Sequence, residues 1–134
     1  MPVEVAKPGI DIGIVSAEGE PLVAFYRDAL GFSPLDPLVM PGIGTIYRLQ
    51  CGESLLRILQ PETPPSGNAA DGGLDGRPGY RYMGLEVTDV RASADIVEAA
   101  GGSVVLGPLE PRPGRLVCQV RDPDGNLIEL AQGG

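Results

Sequence analysis

Histidine and tryptophan are absent from the 134-residue sequence, and aromatic residues make up only 4% of it. Without histidine, the chain lacks the commonest neutral nitrogen ligand for a metal ion. The few aromatic side chains leave the core to Val, Ile, Leu and Ala. They also leave little material for a pocket that stacks a ligand on aromatic rings.

Cysteine is scarce as well, and the two cysteines have neither a CxxC nor any other metal-binding spacing. Cys51 and Cys118 each lie in or beside an apolar run, where a thiol usually behaves as a small buried hydrophobe. The first residues lack the basic and apolar regions of a signal peptide, and no apolar run reaches the length of a membrane span. These features predict a cytoplasmic protein with free thiols and no membrane partner.

Positive charge is in deficit, because 10 Lys and Arg residues stand against 18 Asp and Glu residues, a net charge of −8. This balance argues against nucleic acid as a partner, since Lys and Arg bind its phosphates. A cationic ligand is compatible with the charge, although solubility alone accounts for it. Hydrophobic residues make up 43% of the chain, which is enough for a core. The length predicts a single domain over residues 1–134.

The apolar pattern, together with the glycines and prolines, predicts one order of elements twice: a strand, a helix and three strands. The first module spans residues 9–60, with strands at 10–16, 33–40, 44–51 and 54–60 and a helix at 21–30. A linker rich in Pro, Gly and Asp occupies residues 61–79. The second module spans residues 80–132, with strands at 80–87, 103–106, 115–121 and 126–131 and a helix at 90–100.

A constant offset between the modules indicates a duplication. An offset of 71 residues matches three pairs, which are Asp11 with Tyr82, Gly13 with Gly84 and Gly31 with Gly102. At the last strands, an offset of 72 residues matches Arg57 with Glu129. The register therefore holds to within one residue over the length of a module.

Two stretches carry a resemblance to a known family: residues 10–32, which end in FYRDALGF, and residues 82–108 followed by 120–130, which contain DPDGNLIEL. They resemble the vicinal-oxygen-chelate proteins, that is, the glyoxalase, bleomycin-resistance and extradiol-dioxygenase superfamily. The resemblance implies an α+β fold in which two βαβββ modules form a half-barrel cup around a cavity. It also implies a small-molecule ligand and a homodimer.

Metal-binding members of this family take one ligand from the first strand and one from the last strand of each module, typically His or Glu. Carried onto this sequence, those positions are Asp11, Arg57, Tyr82 and Glu129, and only Glu129 keeps a usual ligand type. Strand alternation predicts that the four residues face one side. Three of them could offer oxygen to Mg²⁺ or Mn²⁺, but Arg57 cannot lose its charge beside such an ion. We therefore expect no metal and no other cofactor.

The four residues suggest proton abstraction next to a carbonyl, the chemistry of a metal-independent isomerase, epimerase or lyase. Asp11 or Glu129 would be the catalytic base and Tyr82 a donor to the developing negative charge. Arg57 would hold a carboxylate, enolate or carbonyl oxygen of the substrate. Three further residues are expected to line the substrate site, namely Tyr47, Tyr80 and Cys118.

Two alternatives compete with this hypothesis. In the first, Arg57 pairs with Glu129 or Asp11 and has a structural role only. In the second, the protein is a binding protein of the bleomycin-resistance type that sequesters a cationic antibiotic, which the net negative charge would suit.

Overall fold

The computed structural model describes residues 1–67, 69 and 73–134, so that Asn68, Ala70, Asp71 and Gly72 of the predicted linker lie outside the described residues. The chain forms two compact units, Met1–Ser66 and Gly67–Gly134. Each unit contains one sheet and one helix in the order βαβββ. The prediction of an α+β fold built from two such modules is confirmed.

The first unit opens with a strand whose partner is the last strand of the same unit. Its elements are β1 (Ile12–Val15), α1 (Gly19–Asp28), β2 (Ser33–Pro34), β3 (Leu38–Met40), β4 (Gly44–Cys51) and β5 (Ser54–Pro61). The strand order is β1-β5-β4-β2, with β3 also paired to β4. β1 runs parallel to β5, and the other pairs are antiparallel.

Helix α1 packs on the first sheet through Leu22, Phe25 and Tyr26, which have the i, i+3, i+4 spacing of one helical face. It begins two residues before the predicted start, because Pro21 occupies the first turn, where a backbone N–H is not needed. It ends at Asp28, two residues earlier than predicted. Gly31, at φ 73°, then turns the chain.

The predicted strand at residues 33–40 is wrong as a single element, since it is divided into β2 and β3. Pro34 and Pro37 lie within the predicted strand, and neither can donate a backbone hydrogen bond to a ladder. β1 also starts later than predicted, at Ile12, because the N–H of Ile10 is bonded to Oγ of Ser54 (3.2 Å) and not to a strand.

The second unit repeats the arrangement. Its elements are β6 (Tyr82–Glu86), α2 (Val90–Ala99), β7 (Ser103–Arg112), β8 (Arg115–Arg121) and β9 (Leu127–Gln132). The strand order is β6-β9-β8-β7, with β6 parallel to β9 and the rest antiparallel. Beneath α2, the core contains Val120, Ile128 and Leu130, all fully buried.

Helix α2 has a signal at each end that fixes its length. At its start, Oδ1 of Asp89 accepts a hydrogen bond from the N–H of Ala92 (3.0 Å), which is an N-cap. At its end, Gly101 has φ 98° and the N–H of Gly102 donates to the carbonyl of Val97 (2.9 Å). That pattern is a Schellman motif, which satisfies a carbonyl at the C-terminus of the helix.

Strand β7 is longer than predicted and runs to Arg112 instead of ending at Leu106. Its pairing with β8 is irregular, with register shifts on both sides of Pro108. Gly107, at φ 95°, lets the backbone bulge there, so that pairing resumes beyond a residue that cannot donate a hydrogen bond.

Each sheet has one face against its helix and one face away from it. The face of the first sheet away from α1 carries Asp11, Gly13, Arg48 and Arg57, and we call it the Arg57 face. The face of the second sheet away from α2 carries Tyr82, Gly84, Gln119 and Glu129, and we call it the Glu129 face. In the part of the chain that the structure describes, no helix is long and apolar enough to cross a membrane.

Candidate functional site

The Arg57 face brings together two of the predicted site residues. The parallel pairing of β1 with β5 sets Gly13 beside Arg57, and Asp11 lies two residues before Gly13, on the same face. Nη2 of Arg57 donates a hydrogen bond to Oδ2 of Asp11 at 3.0 Å. Side-chain exposure is 49% for Arg57 and 20% for Asp11, so this ion pair is partly open to solvent.

Asp11 is surrounded by donors. Nζ of Lys7 donates to its Oδ1 at 2.6 Å, and the N–H of Leu55 donates to the same oxygen at 3.0 Å. The hydrogen bond from Lys7, the charge of Lys7, the Leu55 N–H and the charge of Arg57 together lower the pKa of Asp11. A carboxylate that is held ionised in this way is a weak base, so Asp11 is a poor candidate for abstracting a proton from carbon.

A second arginine lies on the same face, and the sequence analysis missed it. β4 and β5 are joined by a tight hairpin that pairs Cys51 with Ser54, and its register places Arg48 directly opposite Arg57. Nη2 of Arg48 donates to the backbone carbonyl of Asp36 at 2.9 Å. The Gly52 turn signal and strict alternation along the hairpin would have predicted this position.

The Glu129 face brings together the other two predicted catalytic residues. Gly84 pairs with Glu129 across β6 and β9, and Tyr82 lies two residues before Gly84 on the same face. Tyr82 is half exposed, and Glu129 is half-buried. A side chain in place of Gly84 would meet no atom within 4 Å, so the space above Glu129 on that side is open.

Two more residues of this face were missed. Gln119 is buried directly opposite Glu129 in the β8–β9 ladder. Arg115 binds Glu86 through two hydrogen bonds, of 2.6 and 2.7 Å. The hydrogen bond to Glu86, followed by the charges of Glu86 and Glu129, raises the pKa of Arg115. A guanidinium therefore lies within electrostatic reach of Glu129.

The three remaining predicted residues do not join either face. Tyr47 pairs with Ile58 and lies on the helix face of the first sheet, against Gly19 at the start of α1. Tyr80 precedes β6 and is fully exposed. Cys118 is 1% exposed and pairs with Leu130 on the helix face of the second sheet. Burial, followed by the charge of Glu98, raises the pKa of the Cys118 thiol, which keeps it protonated.

The donor chemistry of the two faces does not fit a divalent cation. On the Arg57 face, the oxygens of Asp11 are bound by Lys7, Arg57 and a backbone N–H. On the Glu129 face, the guanidinium of Arg115, whose pKa is raised by Glu86 and then by the charge of Glu129, is a permanent cation that would repel a divalent ion. Within residues 1–67, 69 and 73–134, no group of three or more His, Cys, Asp or Glu residues is arranged to hold a metal ion.

Known proteins share this architecture. The model of the Glyoxalase/Bleomycin resistance protein/Dioxygenase superfamily matches residues 12–130. The probable lactoylglutathione lyase of Vibrio cholerae is 39% identical over 54 residues, which span 40% of this chain and 39% of that protein. A glyoxalase family protein from Bacillus cereus superposes with a TM-score of 0.82 at 18% identity, covering 98% of this chain and 96% of the other. The lactoylglutathione lyase from Agrobacterium tumefaciens superposes with a TM-score of 0.60 at 23% identity, covering 92% of each chain.

Proposed function

We propose that this chain, which belongs to the Glyoxalase/Bleomycin resistance protein/Dioxygenase superfamily, is a metal-independent lyase or isomerase. It acts on a small molecule by abstracting a proton from the carbon next to a carbonyl group. The observation that carries the proposal is the Glu129 face, where a carboxylate, a phenol and an open space above Gly84 occur together.

Glu129 is the base in this proposal. In the described part of the chain, its carboxylate has no hydrogen-bond donor, whereas Asp11 is bound by Lys7, Leu55 and Arg57. A base needs a free lone pair directed at the substrate, and the missing side chain of Gly84 leaves room for a substrate carbon to approach. The proton moves from that carbon to a carboxylate oxygen of Glu129.

Tyr82 supplies the stabilisation of charge. It lies on the neighbouring strand and the same face, two residues before the Gly84 that pairs with Glu129, which is a displacement of about 6–7 Å along the strand. A substrate carbonyl that lies between the two residues would receive a hydrogen bond from the phenol as its oxygen becomes an enolate. The proposed reaction needs no metal ion for this stabilisation.

The alternative function, sequestration of a cationic antibiotic, has less support. A drug-binding pocket gains affinity by stacking the drug on aromatic rings. Of the three tyrosines that could line a cavity, one lies on a sheet face that points away from a helix. That residue is Tyr82, since Tyr47 lies beneath α1 and Tyr80 precedes β6. The excess positive charge of Arg48 and Arg57 would also repel a cationic ligand from the Arg57 face.

The experiment that tests the proposal follows deuterium uptake by NMR, because exchange reveals proton abstraction before the product is known. The protein in D₂O is incubated with lactoylglutathione and with a panel of hydroxy-carbonyl and keto compounds, with and without a chelator. We expect exchange that survives the chelator and is lost in Glu129→Gln but not in Glu110→Gln, a matched change at an exposed position of β7. Saturable binding of cationic antibiotics with no exchange on any compound would contradict the proposal and favour the alternative.

We also propose that the protein is a homodimer. Large apolar side chains are exposed around β3, with Val39 at 76% and Ile43 at 49% exposure, and association would remove them from water. Light scattering at micromolar concentration should give twice the chain mass of 13.9 kDa. A monomer mass would contradict this proposal without affecting the reaction proposed above.

A further inference from the structure

Two like charges oppose each other on the Arg57 face. Arg48 and Arg57 are a directly opposite pair in the β4–β5 ladder, so their Cβ atoms lie about 5 Å apart. Like charges at such positions destabilise a sheet unless something compensates them. The arrangement therefore requires an explanation from the surrounding groups.

The surrounding groups do not compensate the pair. Arg57 is bound to Asp11, but Lys7 binds the same carboxylate at the shorter distance of 2.6 Å, against 3.0 Å for Arg57. Arg48 is hydrogen-bonded to a backbone carbonyl and forms no ion pair within the described residues. Lys7 and Arg57 thus share one carboxylate, and Arg48 has none within the described residues.

The charge of the first unit as a whole makes this concentration unusual. Residues 1–66 contain eight acidic residues and four Lys and Arg residues. Three of those four cations are Lys7, Arg48 and Arg57, and the fourth, Arg27, is paired with Asp28 on α1. Most of the positive charge of this acidic unit therefore lies on or beside the Arg57 face.

Arg48 also carries an unused donor. Its Nε is fully buried and has no hydrogen-bond partner in the part of the chain that the structure describes. A buried N–H without an acceptor is unfavourable, so a shift of the Arg48 side chain that brought Nε to an acceptor on a ligand would be favourable. The hydrogen bonds of the two guanidinium groups each use an Nη2 atom, that of Arg57 directed towards β1 and that of Arg48 towards the residues before β3, so the other donors of both groups remain for an anion.

We propose that Arg48 and Arg57 form a binding site for an oxyanion, a carboxylate or phosphate group of a small molecule, on the Arg57 face. Each guanidinium fork can donate two parallel hydrogen bonds to an anion with two or more oxygens. Gly13, which pairs with Arg57, adds no side chain that would obstruct the anion. The site does not rest on Glu129 acting as a base.

The test measures binding of inorganic phosphate and of malonate, each against chloride at the same ionic strength, by calorimetry and by NMR of the arginine Nε–H groups. We expect saturable binding of at least one of the two anions and a shift of the Arg48 Nε–H signal. A response to phosphate alone would identify phosphate as the group recognised, and a response to malonate alone would identify a carboxylate.

The variants Arg48→Gln and Arg57→Gln should each weaken binding at least tenfold, whereas Arg27→Gln, which removes the same charge from α1, should leave it unchanged. Arg48→Lys keeps the charge without the planar fork and should also weaken binding, and it guards against a Gln variant that fails to fold. The proposal is overturned if neither anion binds saturably, or if Arg48→Lys and Arg48→Gln both bind like the wild type. Glu129→Gln should retain anion binding, so failure of the proposed reaction and failure of this site can be told apart.

Discussion

In the first unit an arginine, Arg57, pairs with the glycine of the opening strand, whereas in the second unit a glutamate, Glu129, pairs with the corresponding glycine. The next strand continues the contrast, with Arg48 opposite Arg57 and Gln119 opposite Glu129. The register is the same in both units, so the difference lies in side-chain chemistry and not in the backbone. One duplicated scaffold thus presents a cationic face in one unit and a carboxylate face in the other.

The shared part of the scaffold lies on the helix faces. In both units the last strand has a glutamine at or next to its end whose Oε1 accepts the first N–H of the helix, Gln60 from Gly19 at 2.8 Å and Gln132 from Val90 at 2.7 Å. These contacts and the apolar residues beneath the helices fix the fold. The charged and polar residues of the opposite faces differ between the units, although the register is the same.

The largest expected effect is the difference between the two candidate bases, Glu129 and Asp11. Glu129→Gln should reduce proton exchange by about 10²–10⁴-fold, the usual contribution of a general base. Asp11→Asn should reduce it by less than about tenfold, because the Asp11 carboxylate is bound by Lys7 and Arg57 and has a lowered pKa. Deuterium uptake measured side by side checks both, and an Asp11 variant with the larger loss would reverse the assignment of the base.

The second prediction compares the stability that one buried residue contributes to the core of each unit. Ile58 and Leu130 occupy corresponding positions of the last strands, and both are fully buried. Ile58→Ala and Leu130→Ala should each lower the free energy of unfolding by about 2–5 kcal/mol. Ile10→Ala, at an exposed position, should change it by less than about 0.5 kcal/mol. Urea denaturation followed by circular dichroism gives these values, and a small effect at either buried position would contradict the equivalence of the two cores.

The sequence was informative about the scaffold and less so about the faces. Apolar periodicity and the glycines after each helix predicted both modules, because those signals are local. The pairing of strands depends on turn length, which is harder to read. A four-residue turn at 122–125 would have paired Arg121 with Asn126 and placed Cys118 opposite Glu129. The turn includes Asn126, whose carbonyl accepts the N–H of Asp122 (2.9 Å), and Arg121 pairs with Leu127 instead.

That shift of one residue moves every side chain of a strand to the other face, which explains why Gln119 and not Cys118 lies beside Glu129. The position of Tyr47 was predictable, because the Cys51–Ser54 hairpin pairs it with Ile58 on the helix face. The bulge that lengthens β7 depends on φ 95° at Gly107, which no periodic pattern indicates.

The third prediction concerns the residues that precede the two helices. Asp89 caps α2 through its side chain, whereas Glu18, at the same position before α1, makes no such hydrogen bond. Asp89→Ala should therefore cost about 0.5–2 kcal/mol of stability, while Glu18→Ala should be close to neutral. Denaturation of the two variants under identical conditions checks the difference. Equal losses of stability would show that the Asp89 side chain contributes no net stabilisation as a cap.

The smallest effect concerns one carboxylate of lowered pKa in each unit, Asp11 in the first and Glu86 in the second. A carboxylate whose pKa is lowered on folding stabilises the fold above its ordinary pKa of about 4, and that contribution is lost as the pH falls through the folded value. The hydrogen bond from Lys7 is the largest cause for Asp11, and the one from Arg115 is the largest for Glu86. Lys7→Met should therefore raise the pKa of Asp11 and leave that of Glu86 unchanged, as followed by the carboxyl ¹³C shifts during an acid titration. If the pKa of Asp11 is unchanged, Arg57 and the Leu55 N–H suffice to hold the carboxylate ionised. Arg57 would then be bound to Asp11 more firmly, and would be less available to an anion, than we infer.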